Sequence, residues 1–266
     1  AEFRNFAGFL ASVSGIFVNA KTHEGFSDEL KHDVNEKIDE FIQRELDLLG
    51  EDNLVTRENA KEILASEVHP LSYGKVVKLL VPKVKSFEAN VEKLTPRDFI
   101  VIEHIVVLLK AMLNNGDSLT IFQVSVHILN CASIIARIID SVANVDVTVL
   151  KLRIRVSRLF YEIENHNDAL VIKGAYKLRN TYLRHAYNWF DNAVAYDCNC
   201  SDQSHHQGHQ HSHGGRDLDY IYIDIAIESV KALSLLLDSL LLEAPQVINE
   251  RELKFSKASL FSIYFN

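Results

Sequence analysis

Val149-Leu150-Lys151-Leu152-Arg153-Ile154-Arg155-Val156-Ser157-Arg158-Leu159-Phe160-Tyr161-Glu162-Ile163 is the stretch on which the fold class turns. Its first half alternates apolar and basic residues, as a half-buried strand does. Across its whole length, Val149, Leu152, Val156, Leu159, Phe160 and Ile163 recur at helical spacing instead. No turn signal bounds it and no second alternating run offers a partner strand. The longer period wins, and the stretch is read as a helix.

The rest of the chain agrees. Ten glycines and four prolines in 266 residues leave little turn chemistry for a many-stranded sheet. Apolar stripes mark about nine or ten helical segments. They fall near residues 3–20, 28–49, 56–69, 71–91, 96–113, 119–142, 149–163, 176–196, 218–242 and 250–265. Gly50 ends the second segment, and Thr56, before Arg57-Glu58-Asn59, reads as a cap with an acidic first turn. Pro70 and Pro96 suit the first helical position, with Thr95 as N-cap before Pro96. Pro82 should kink or split its segment. Helices joined by short connections, without βαβ alternation, predict an all-α chain. The expected architecture is an α-solenoid of degenerate HEAT- or armadillo-like helix pairs, a single segment over residues 1–266 of a larger protein. A flexible His-rich insertion is expected at about residues 198–215.

Composition excludes several functions. With 47% hydrophobic and 24% charged residues the chain is ordinarily globular, and its net charge of −8 argues against nucleic acid. Three cysteines make no disulfide framework and suit a reducing compartment. The opening residues lack a signal-peptide layout. Charged residues interrupt every apolar run short of about 18 residues, so no transmembrane segment is expected.

Few residues suggest chemistry. Cys198, Cys200, His205, His206, His209, His211 and His213 are types that bind zinc, but without CxxC or HExxH spacing, and a solvated low-complexity tract is the simpler reading. Lys151, Arg155 and Arg158 share a helix face that could dock an acidic partner or anionic lipid; such a row is more often a solvated surface. His104 and His127 lie in apolar helices and read as hydrogen-bonded core histidines. Trp189, with Tyr182, Tyr187 and Phe190, reads as a core anchor rather than a ligand cage. Neither a nucleophile elbow nor a phosphate-binding glycine loop occurs, so no catalytic residue and no cofactor is assigned.

Four blocks carry a family resemblance. Phe3-Arg4-Asn5-Phe6-Ala7-Gly8-Phe9-Leu10 through Gly15 is similar to the "WRNFTGFL…GG" segment of neurofibromin and the yeast Ira proteins. Lys177-Leu178-Arg179-Asn180 followed by Trp189 resembles that family's "K-F-R-N…W" helix. Arg216-Asp217-Leu218-Asp219, with Ala226, Glu228, Ser229 and Val230, resembles its next helix, and Lys257-Ala258-Ser259-Leu260-Phe261 its "K-S-Q-L-F" run. The blocks are in family order; between about residues 20 and 165 the likeness rests on helical character.

The resemblance implies a large Ras GTPase-activating parent, cytoplasmic or peripheral at the membrane, with this chain as the helical segment before its catalytic domain. The arginine-finger loop of that domain, with its Phe-Leu-Arg motif, has no match here. The implied partners are other parts of the same polypeptide, Ras through the parent's catalytic domain, a protein regulator, and a second copy of the parent. The His-rich tract departs from the family pattern.

Overall fold

A computed structural model describes residues 28–62, 64, 73–116, 118–167, 176–203 and 213–243. Among these the chain is all-α. The helices are α1 (Asp28–Leu48), α2 (Leu54–Glu62), α3 (Tyr73–Ala89), α4 (Pro96–Asn115), α5 (Ser118–Ser141), α6 (Val147–Asn167), α7 (Tyr176–Gln203) and α8 (His213–Glu243), with a 3-10 turn at Val91–Lys93. The segments expected at residues 3–20 and 250–265 lie outside the described residues, as does Pro70. Contacts divide the chain into two compact units, residues 1–131 and 132–266.

In the first unit α1 packs on α2 and α3, and α3 packs on α4. Phe41, Ile42, Leu46 and Leu49 bury one face of α1, and Val76, Val77, Leu80 and Val84 one face of α3. Lys75 bonds Asp39 at 2.7 Å, clasping α3 to α1. The start of α4 follows the expectation closely. Thr95 takes the Asp98 amide on its hydroxyl, while its own N–H donates to Asp98 Oδ2 at 2.8 Å, and Pro96 fills the first turn. Arg97 Nε then donates to the Gly50 carbonyl at 2.6 Å, satisfying backbone just past the end of α1.

Two local expectations are corrected here. The cap of α2 is Asn53, whose side chain accepts the Thr56 N–H at 3.2 Å; Thr56 already lies inside the helix. Asparagine is at least as good an acceptor as threonine, and it stands one turn earlier. Nor does Pro82 split its segment, because α3 runs through it. Pro82 and Lys78, the residue whose carbonyl loses its partner, both face solvent, so water can replace the missing bond.

In the second unit α8 packs on both α6 and α7. The deciding stretch is helical: Asp146 caps α6 by accepting the Val149 N–H at 3.0 Å. Its strand-like alternation has a plain cause. Lys151 and Arg155 are exposed, whereas Arg153 is buried beside Val149, Leu150, Leu152, Ile154 and Val156. One buried arginine thus mimics period two.

Helix α5 qualifies the membrane expectation. By length and composition Val124–Ser141 could cross a bilayer, yet 67% of that window is buried inside the protein. Six successive residues, from Cys131 to Ala136, are buried. A span would turn those side chains to lipid; here they meet protein, as in a core helix. Burial also pushes the Cys131 thiol up to about 12, which leaves it inert.

Candidate functional site

The described residues hold three groupings of polar or exposed side chains. The most elaborate centres on Asp140, in the last turn of α5. Its Oδ1 accepts the Trp189 indole N–H at 2.6 Å, and its Oδ2 meets His185 Nδ1, both from α7. Trp189 is fully buried. A buried indole must find an acceptor for its N–H, and Asp140 is that acceptor. Arg153 of α6, only 7% exposed, adds a positive charge; burial pulls its pKa down, opposed by Asp140 and then by Tyr222. The group joins α5, α6 and α7 through one carboxylate, so its chemistry is cohesive.

The core reading of Trp189 holds, with Tyr187 buried beside it; the Tyr182 side chain lies outside the described residues. Sequence reasoning missed Asp140 and Arg153. The only signal was that a buried tryptophan needs an acceptor somewhere, and nothing along the chain says where.

The second grouping lies in the first unit. His104 is buried, and its Nδ1 stands 3.7 Å from Glu58 Oε1 without a hydrogen bond. Burial lowers its pKa, and Lys61 adds to the effect; Lys61 also bonds Glu58 and lowers that carboxyl. His104 is therefore a core histidine, although its Nδ1 is unbonded. His127 corrects the companion expectation, since it is exposed on α5.

The third is the basic row. Lys151, Arg155 and Arg158 are all exposed along one face of α6. Arg158 also reaches Glu228 of α8 at 3.4 Å, and Glu228 lies 3.7 Å from Lys231. Part of the row therefore joins helices within the unit.

Of the sulfur- and imidazole-rich tract, the backbone of α7 extends through Gln203 and α8 begins at His213. The side chains of Cys198, Cys200, His205, His206, His209, His211 and His213 lie outside the described residues. Among the described residues no cluster of three or more His, Cys, Asp or Glu side chains could hold a metal ion.

No family model matches the chain. Two curated proteins of Saccharomyces cerevisiae do. The inhibitory regulator protein IRA2 is 29% identical over 272 residues, covering 100% of this chain. The inhibitory regulator protein IRA1 is 27% identical over 289 residues, covering 99% of it. The chain spans about 9% of the length of each. From end to end, then, it is similar to one short stretch of the yeast inhibitory regulators, the same neurofibromin and Ira family that its four sequence blocks resemble.

Proposed function

We propose that this chain is a non-catalytic helical scaffold segment of a Ras GTPase-activating protein, a negative regulator of Ras. The observation that carries the reading is the match along the whole chain to a small fraction of two inhibitory regulators. It is supported by the use of the polar groups inside the fold, since Asp140, Trp189, Arg97 and Thr95 all join or cap helices. The role is positional: helix pairs stacked as one continuous solenoid segment hold the catalytic domain and other parts of the polypeptide in a fixed relation. Cytoplasmic placement, peripheral membrane association and pairing of two parents belong to this same proposal.

The test is thermal unfolding of the following domain alone and of the same domain preceded by this chain. A scaffold raises that domain's melting temperature and the two melt together. Independent melting at unchanged temperatures contradicts the reading.

The exposure of Lys151, Arg155 and Arg158 favours a second reading, an interaction module that docks an acidic regulator or anionic lipid. Reversing the three charges should then abolish vesicle or partner binding while helicity is retained. Unchanged binding removes it.

A further inference from the structure

Helices α7 and α8 leave an open groove of about 370 Å³ on the second unit. It is lined by Val194 and Tyr196 from α7 and by Asp219, Tyr222, Ile223 and Ile227 from α8. Large apolar side chains beside it face water: Tyr220 is 68% exposed, Ile223 45% and Val194 41%. Tyr220, Ile223 and Ile227 stand at i, i+3 and i+7 and so form one ridge along α8. An apolar row of this kind, framed by charge, marks a binding surface more often than an accident of exposure.

The charge along it has one sign. Asp217 and Asp224 are exposed on either side of Tyr220, and no lysine, arginine or histidine lines the groove. Inside, Tyr196 and Tyr222 stack with ring centroids 3.9 Å apart, and the Tyr196 hydroxyl donates to Asp219 Oδ1 at 3.2 Å. A carboxylate beside two phenol rings receives an ammonium or guanidinium group well, through charge pairing and the ring faces.

We propose that this groove docks a basic amphipathic helix of a partner protein. Its apolar ridge would seat on Tyr220, Ile223 and Ile227, and one lysine or arginine would enter beside Asp219. A helix is favoured over an extended peptide because α7 and α8 offer no free strand edge, whereas ridges at helical spacing accept another helix. The proposal is independent of the scaffold reading, since it concerns a local surface of the second unit.

The experiment uses the full chain and a fluorescein-labelled helical peptide with leucines along one face and lysines flanking it. A second peptide carries glutamates in place of the lysines, and binding is read by fluorescence anisotropy at physiological salt. Saturable binding of the leucine–lysine peptide is expected, with none of the leucine–glutamate peptide. Ile223→Lys or Tyr220→Lys should weaken it at least about tenfold and Asp219→Asn several-fold, circular dichroism confirming that each variant keeps its helices. Leu54→Lys, at an exposed apolar position of the first unit, should leave it unchanged. No saturable binding, equal binding of both peptides, or unchanged binding by the groove variants overturns the proposal. So does concentration-dependent dimerisation of the chain that Ile223→Lys abolishes, which would make the occupant a second copy.

Discussion

The two compact units bury polar groups in different ways. In the second, Asp140 is a hub that satisfies Trp189, contacts His185 and balances the charge of buried Arg153. In the first, Glu45 is fully buried on α1 with neither carboxylate oxygen hydrogen-bonded among the described residues, and His104 leaves Nδ1 unbonded. A buried charge with partners fixes the register of the helices that share it; one without partners mainly costs stability. The second unit should therefore lose stability when its polar group is cut, and the first should gain when its own is replaced.

The largest effect is expected at the hub. Asp140→Ala strands the Trp189 N–H and the Arg153 charge, and should destabilise the second unit by about 2–4 kcal/mol. Trp189 is the sole tryptophan of the chain, so its fluorescence during urea unfolding reports this unit selectively. A shift in midpoint corresponding to less than about 0.5 kcal/mol would show that the hub is incidental.

The opposite sign is expected at Glu45. Burial raises its pKa, outweighing the lowering effect of Arg44. The folded state thus prefers the neutral acid. That preference contributes fully below the unfolded-state pKa and is lost as pH rises through the higher folded value. Glu45→Met should gain about 1–3 kcal/mol at neutral pH, and the gain should shrink as pH falls toward the ordinary carboxylate range. His104 runs the other way. Its folded pKa is lowered, so its contribution is present above the unfolded value near 6.5 and is lost as pH falls through the folded one. His104→Leu should accordingly flatten the acid side of the unfolding profile, read by circular dichroism between pH 7 and about pH 5.

How far such features could be read in advance differs with their range. The Thr95-Pro96-Arg97-Asp98 start is local chemistry, so the residues announce it and the structure repeats it. Helical period likewise survived the alternation in residues 150–156, because six apolar positions outvoted three basic ones. Asp140 and Glu45 look like any helical acids along the chain. Only packing decides that one meets an indole from 49 residues away and the other meets nothing. Asn53 and Thr56 lay within reach of local reasoning, and the choice between them failed because both are good caps. The groove was invisible for the same reason as the hub, since Tyr196 and Tyr222 stand on different helices.

Smaller effects complete the comparison. Thr95→Ala should cost about 1 kcal/mol through loss of the capping box. Arg158→Ala should cost less than about 1 kcal/mol, because its pairing with Glu228 is half exposed and screened by salt. Both are read from urea midpoints. A larger loss at Arg158 than at Thr95 would mean that the basic row holds α6 to α8 and is not an available docking face.

The central claim is that this chain supports a Ras regulator without performing its chemistry. It is tested most directly by Ras GTP hydrolysis with the chain added in stoichiometric amounts, beside a longer polypeptide continuing through the following domain. No acceleration by the chain alone and strong acceleration by the longer polypeptide is the predicted result. Acceleration by the chain alone would contradict it and place a catalytic arginine within these 266 residues.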